Sequence, residues 1–302
     1  MTNVIVPLES ARLVEYALPI HCYICDGQNN FDAEYCRYCA APMALAHQAC
    51  SQKLVPSMVA CMGTSGAGKT VYLGMLIDML SRRTDHLHLL ARGAFSITLQ
   101  QTTMAALARC EFPSKTPNEP DRWNWVHCQV RGKRRRGVLE LIMPDMAGEA
   151  ILEEVDHPHS FRVIGSFLKK CCGAMILIDA IQLLEGGEEQ EYFAMKLVTY
   201  LSELDERKSR RGWSRRPVAL IFTKADQREE CLADPERFAQ SHSPGLWQLC
   251  REHFRVHRFF ACGVAGACAC RLTRDGARVQ VPLRVEPHGV VEPFQWLIER
   301  LK

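Results

Sequence analysis

Residues 63–70 read Gly63-Thr64-Ser65-Gly66-Ala67-Gly68-Lys69-Thr70 and follow a short apolar run at 55–61. The spacing is G-x-x-x-x-G-K-[ST], with Gly63, Gly68, Lys69 and Thr70 at the defining positions. Successive backbone N–H groups in such a loop can point inward and bind phosphate oxygens. Glycine serves here because a Cβ would block close approach and the dihedrals of the turn. Lys69 can reach terminal phosphates. The Thr70 hydroxyl can ligate Mg2+, a hard cation that keeps waters and takes few protein oxygens. The apolar run before the loop predicts a strand and residues 69–83 predict a helix, which is the context the motif needs. A Gly-rich strand–helix turn that binds nothing is the plain alternative.

Two later stretches bear on which nucleotide such a loop would hold. In LELIMPDMAGE (139–149), Asp145 follows a predicted strand and Gly148 stands three residues on. Asp145 could hold Mg2+ directly or through water, and the Gly148 N–H could meet a γ-phosphate. In ALIFTKAD (219–226), Thr223, Lys224 and Asp226 fall at a strand end. A carboxylate at Asp226 can accept hydrogen bonds from guanine N1–H and its 2-amino group. Adenine has a donor at neither place and would leave the carboxylate unpaired. Lys224 can lay its alkyl stem over a base while its ammonium stays in water.

The ordered set GTSGAGKT, DMAG and TKAD resembles the P-loop GTPases of the Ras and translation-factor class, over about residues 54–302. The resemblance implies a three-layer α/β fold with a mostly parallel sheet, binding of GTP or GDP with Mg2+, and a switch between nucleotide states. It assigns residues 63–70 to the phosphates, Thr70 and Asp145 to Mg2+, and Thr223, Lys224 and Asp226 to the base. Thr223 stands where the family most often has Asn. The final base-contact loop falls in FFACGVAG (259–266), which lacks the usual Ser-Ala pair. Either Ala261 or Gly263–Val264 takes that place. Glu149 stands where the family usually has Gln or His to orient the attacking water. A carboxylate there adds negative charge beside a phosphate. The expected GTPase is therefore slow, with Lys69, Glu149 and Thr116 as the catalytic set and a partner completing the site. Glu149 reads equally well as a first-turn helix acid. Thr116 is the expected first-switch threonine, with Thr102 and Thr103 as competitors inside a predicted helix.

Cys22-x-x-Cys25 and Cys36-x-x-Cys39 lie ten residues apart. Each C-x-x-C turn aims two thiolates at one point, and two turns complete a tetrahedral Zn2+ site with no open position. Such a zinc would be structural and would supply folding energy that a thirty-residue segment lacks. An iron site and a redox pair are the alternatives. His21, His47 and Cys50 lie nearby and read as surface residues. The expected organisation is an N-terminal segment (1–20), a zinc ribbon (21–50) and a GTPase domain (54–302). A zinc ribbon ahead of a divergent GTPase domain resembles the double-GTPase-like proteins of bacterial conflict-system gene clusters. That implies a protein partner, in particular another GTPase-like protein.

The elements that must position these residues follow from the apolar pattern. Short apolar runs alternate with helical stretches from residue 54 onward, which predicts a mostly parallel sheet covered on both faces. Strands are expected at 54–62, 123–130, 137–143, 173–180, 217–223 and 257–263. Helices are expected at 69–83, 96–110, 161–171, 191–208, 245–254 and 292–301, with a hairpin-like stretch near 271–290. Hydrophobic residues make up 47% and charged residues 24% of 302, ordinary for a globular chain. No apolar run approaches the ~20 residues of a membrane span, and no secretory signal is evident. A cytoplasmic protein is expected. A net charge of +3 argues against general nucleic-acid binding. The basic residues cluster at 131–137 and 207–217, where Arg131, Lys133, Arg134, Arg135, Arg136 and Arg216 read as solvated turns. A nucleic-acid docking surface is the sharper alternative. Two other functions stay open: a GTP-dependent scaffold that does not hydrolyse, and a nucleic-acid adaptor.

Overall fold

In the computed structural model the described residues are 19–52, 55–82, 87–132, 137–186, 188–206, 208–209, 212–272, 276 and 278–301. The N-terminal segment up to residue 18 lies outside them, as do the basic residues Lys133–Arg136, Arg207, Arg210 and Arg211. Arg216 is not in a solvated turn as expected: it is buried, donates to the Leu168 and Lys169 carbonyls and lies 3.9 Å from Asp205.

The chain begins with a two-stranded pair, β1 (Ile20–His21) and β2 (Gln28–Asn29), and a helix, α1 (Met43–Gln52). Then come β3 (Ser57–Gly63), α2 (Lys69–Ser81), β4 (Leu87–Arg92) and α3 (Gly93–Ala108). A hairpin follows, β5 (Trp125–Gly132) and β6 (Leu139–Pro144), then α4 (Gly148–Asp156) and α5 (Arg162–Lys170). Next are β7 (Gly173–Asp179), α6 (Ala180–Glu185), α7 (Glu189–Glu203) and β8 (Val218–Thr223). Three helices, α8 (Glu229–Ala233), α9 (Pro235–His242) and α10 (Pro244–His253), lead to β9 (His257–Ala261). A ribbon of β10 (Ala267–Leu272) and β11 (Arg278–Arg284) precedes the last helix, α11 (Val291–Ile298).

The seven-stranded sheet has the order β4-β5-β6-β3-β7-β8-β9. β6, β3, β7, β8 and β9 are parallel neighbours, while β5 pairs antiparallel with both β4 and β6. The short connection from β5 to β6 forces that reversal, because only antiparallel strands can be joined so tightly. β3, β6, β7 and β8 are buried on both faces, so they read as continuous apolar runs. Alternate residues feed two cores. Ala174, Ile176 and Ile178 join the core with Phe167, Leu197, Phe238 and Leu246. Met175 and Leu177 face the other, with Leu73, Leu76, Leu99 and Phe294. This is the expected three-layer α/β arrangement.

The apolar pattern does not announce β4. Its residues Leu87, Leu89 and Leu90 break strict alternation, and Leu90 is exposed at the sheet edge. The pattern also misses α4, α6, α8 and α9, which are short. The cysteine-bearing segment is not a separate core. Ile20, Cys22, Ile24, Ala41, Met43 and Leu45 belong to the same buried cluster as Trp125 and Phe167 of the α/β body. Lys170 Nζ ties the two parts, 2.6 Å from Asp26 and 3.4 Å from the Tyr23 carbonyl.

Candidate functional site

β3 ends at Gly63, where an added Cβ would lie 2.4 Å from the Leu177 carbonyl oxygen of β7. The loop then turns through Gly66 (φ 80°) and Gly68 (φ 83°), both left-handed, into the first turn of α2. Thr64 Oγ1 donates to Gln190 Oε1 at 3.0 Å and anchors the loop to α7. Lys69 folds back under it, and Nζ donates to the carbonyls of Gly63 (3.0 Å) and Thr64 (2.9 Å). Its side chain is buried, and that burial lowers its pKa despite the nearby Asp145.

Beside this loop three oxygens from distant segments converge. Thr70 Oγ1 donates to Asp145 Oδ2 at 2.9 Å. Thr116 Oγ1 lies 3.0 Å from Thr70 Oγ1 and 3.2 Å from Asp145 Oδ2. Asp145 is 1% exposed, burial raises its pKa, and its other oxygen, Oδ1, is buried with no hydrogen-bond partner. A buried carboxylate oxygen without a partner is costly unless a ligand satisfies it. The set of two hydroxyls and one carboxylate suits a hard cation such as Mg2+. The placement of Thr116 is fixed from both sides. Trp123 Nε1 donates to the Pro117 carbonyl at 2.8 Å, and the Asp145 N–H donates to the Asn124 carbonyl at 2.9 Å. Thr102 and Thr103 stay within α3: Thr102 Oγ1 donates to the Thr98 carbonyl, and Thr103 packs on Gly74.

Gly148 lies against the loop itself. An added Cβ would sit 2.3 Å from the Ser65 nitrogen and 2.5 Å from the Thr64 carbonyl carbon. Glu149, the next residue, is exposed. It forms an ion pair with Lys115 and accepts from Asn118 Nδ2 at 3.2 Å. The Lys115 contact, then the Asn118 bond, hold its pKa below the usual carboxylate range. Lys115 is a site residue that the motifs do not reveal; its adjacency to Thr116 is the one signal in the sequence.

At the other end, Thr223 closes β8 and its Oγ1 donates to the Ile178 carbonyl at 3.2 Å. Lys224 takes a left-handed conformation (φ 55°). Its ammonium is not left to water: Nζ lies 2.5 Å from Oδ2 of Asp179, which is fully buried. Asp179 Oδ1 in turn accepts from the N–H groups of Ile181 and Gln182 and caps α6. Asp226 is half-buried, and burial raises its pKa. Gly263 presses on it, since an added Cβ there would lie 2.4 Å from Asp226 Oδ1.

A cavity of about 370 Å³ joins these parts. It runs from Ser65–Tyr72 to Asp226 and Gln227, with Phe112–Thr116 along one side. Gly263, Val264 and Ala265 line it, whereas Ala261 ends β9 outside it. Of the two expected candidates, Gly263–Val264 is thus the one that reaches the cavity beside Asp226. Phe112 is a second lining residue that no motif reveals.

The four cysteines form a separate cluster. Their Sγ atoms all lie within 4.8 Å of one another, the only such ligand group among the described residues. Cys22 and Cys39 are 3.7 Å apart, Cys25 and Cys36 3.5 Å. The two turns match bond for bond. The Asp26 N–H donates to the Cys22 carbonyl and the Cys22 N–H to the Gly27 carbonyl. The Ala40 N–H donates to the Cys36 carbonyl and the Cys36 N–H to the Ala41 carbonyl. Asp26 (φ 61°) and Ala40 (φ 62°) close the turns in the left-handed region. The N–H groups of Ile24 and Tyr38, and Asn29 Nδ2, point at sulfur at 3.4 Å. Donors aimed at sulfur favour thiolates, so the cluster can hold a soft metal. His47 stacks edge-on with Phe31 instead, and Cys50 is exposed.

A family model described as Double-GTPase 2 matches residues 57–244. The chain belongs to the Double-GTPase 2 family. The match covers β3 through the start of α10, so it includes the phosphate loop, Asp145–Gly148 and Thr223–Asp226. The cavity-lining loop at 263–265 and the β10–β11 ribbon of this Double-GTPase 2 chain lie beyond it. No curated protein matches the chain. Two solved structures resemble it: the S. cerevisiae Ski7 GTPase-like domain bound to GTP (17% identity, TM-score 0.47) and the same domain bound to GDP and inorganic phosphate (15%, TM-score 0.44). The likeness covers 84% and 83% of this chain, and 51% of the Ski7 chain in each case, so the chain spans about half the length of that relative. Among the described residues no helix is long and apolar enough to cross a membrane.

Proposed function

We propose that this chain is a guanine-nucleotide switch that binds GTP and GDP with Mg2+ and hydrolyses GTP slowly. The observation that carries the reading is Asp145. Its orphaned buried oxygen stands beside the Thr70 and Thr116 hydroxyls, at one end of a cavity whose other end presents the Asp226 carboxylate. Mg2+ held there would offset phosphate charge. Residues 63–70 would supply backbone N–H groups to the phosphates, and Lys69 would exchange its two carbonyl bonds for phosphate oxygens. Asp226 would accept from guanine. Because Thr116 and Gly148 both approach the terminal phosphate position, the segments 111–118 and 145–149 are the switch.

Lys115 bears on hydrolysis. Glu149 can accept a hydrogen bond from an attacking water, and the Lys115 ammonium beside it offsets the added negative charge. Catalysis would then fall to Lys69, Thr116 and Glu149, with a protein partner raising the rate. The partner that fits the resemblance is a second GTPase-like protein, in a bacterial conflict system. The cysteine cluster would hold Zn2+ as a structural and contact module. A cytoplasmic setting would keep those four thiols reduced and available to the metal. The same Lys115 and Asn118 contacts favour a second reading, a GTP-dependent scaffold, because they hold Glu149 away from a water.

The test is competition of a fluorescent GTP analogue by GTP, GDP and ATP with Mg2+, using wild type, Lys69→Ala and Asp226→Ala. GTP and GDP should compete and ATP should not, and both variants should lose binding. Equal competition by ATP would overturn the guanine assignment. Single-turnover hydrolysis then separates the switch from the scaffold.

A further inference from the structure

We propose that the β10–β11 ribbon is part of the nucleotide site: a wall that contacts the base and sugar and retains them. This rests on the guanine-nucleotide reading above.

The ribbon grows directly from the base loop. The Glu286 N–H donates to the Val264 carbonyl at 2.9 Å. Gly263 and His288 exchange both backbone bonds, at 3.0 and 2.8 Å. The loop that faces the base is thus the first rung of an antiparallel ladder, which continues from Ala267↔Arg284 to Leu272↔Arg278. Backbone in a ladder is stiffer than backbone in a free loop. Two ribbon side chains line the cavity, Cys268 and Gln280. Cys268 lines the same cavity as Lys224, Asp226 and Gly263; burial raises its thiol's pKa, and the Asp226 and Lys224 charges act on it as well. Gln280 lies across from Cys270, two register positions beyond the Cys268–Pro282 pair. Its amide offers both donors and an acceptor, the complement of ribose hydroxyls and of a purine edge.

The ribbon also reaches the opposite wall. Arg271 lies 3.9 Å from Glu111, the residue before Phe112. The segment 112–116 and the ribbon both line the cavity, and this exposed ion pair links them beside it. A nucleotide leaving past that link must part them. Retention should therefore depend on residues that no phosphate-loop motif includes.

The experiment uses the zinc-loaded full chain at pH 8. Alkylation by iodoacetamide is followed peptide by peptide, with and without GDP and Mg2+. GDP should slow Cys268 about tenfold, since such cavities cover most of a ligand's surface, and leave exposed Cys50 unchanged. In the same preparations the dissociation rate of a fluorescent GDP analogue is measured. Gln280→Ala should raise it about tenfold. Arg271→Glu should raise it about two- to fivefold, and adding Glu111→Arg should restore it. If GDP binds but Cys268 reacts at an unchanged rate and Gln280→Ala leaves dissociation unchanged, the ribbon is not part of the site. If GDP does not bind at all, while Cys268 remains reactive on folded protein, the guanine reading falls and this proposal falls with it.

Discussion

The cysteine cluster and the nucleotide cavity both gather ligand atoms, but they do so by opposite means. The cluster is assembled locally, by two matching turns whose hydrogen bonds span four or five residues. The cavity is assembled at long range: Thr70, Thr116 and Asp145 come from three segments brought together by the sheet. The first arrangement keeps its turn geometry but needs a metal to hold four thiolates together. The second keeps its scaffold without a ligand and leaves one carboxylate oxygen unsatisfied. Ligand loss should therefore unfold one region and only loosen the other.

Metal removal tests that contrast most severely. Structural zinc sites of this kind supply about 10–16 kcal/mol of apparent binding energy. A chelator at pH 7, or Cys36→Ser, should melt residues 20–52 and lower the Tm of the whole chain, because both parts share one core. Hydrogen exchange would show loss of protection in 20–52 first. If protection there survives complete metal loss, the cluster is held by packing alone.

Nucleotide-site substitutions should act without that collapse. Lys69→Ala and Asp226→Ala should each weaken GTP binding about a hundredfold, the scale of losing charge-assisted bonds. Their thermal melts without nucleotide should stay near wild type. Gly148→Ala should have a smaller effect with a distinct signature. Its Cβ would meet backbone at 2.3 Å, and overpacking of this sort costs about 1–3 kcal/mol. Affinity for GTP should fall more than affinity for GDP if residue 148 makes the proposed γ-phosphate contact. Equal losses for both would remove Gly148 from the γ-phosphate contact.

The smallest expected effect lies in the hairpin that supports Asp145. His127 Nε2 pairs with Glu140 Oε2 at 2.9 Å, both buried. Burial lowers the His127 pKa below its ordinary 6.5, with Glu140 only partly offsetting it. The fold thus prefers the neutral ring. Its stabilisation is fully present above the unfolded value and is lost as pH falls through the depressed folded value. His127→Gln should flatten the decline of Tm below about pH 6.5. A decline equally steep in the variant would assign the acid sensitivity elsewhere.

The two regions also differ in how far they can be read from sequence. C-x-x-C turns carry their geometry within a few residues, so the cysteine cluster follows directly from spacing. Gly63–Thr70, Asp145 and Thr223–Asp226 are legible for the same reason, since each motif is one strand end and its turn. What joins them is not. Thr116 is one of three candidate threonines until the Trp123–Pro117 bond fixes its loop. Lys115, Phe112, Cys268 and Gln280 reach the cavity only through chain reversals that no local pattern encodes. Lys224 shows the limit from the other side. Its place is clear from the motif, but its ion pair with Asp179 depends on β7 lying beside β8. Strand β4 is hidden because Leu90 occupies an exposed position and breaks the alternation that a half-buried strand should show.

The bond between Lys170 and Tyr23 spans 147 positions of chain. During synthesis the cysteine turns emerge well before the partners that complete their core. Their own loop is short and closes at little entropic cost, whereas the contact with α5 must wait for the sheet. Metal capture would then be an early event on the ribosome and docking a late one. In that interval Ile20, Ile24 and Met43 stand uncovered. A cell short of the metal, or slow in elongating residues 57–170, would accumulate chains with that apolar face exposed.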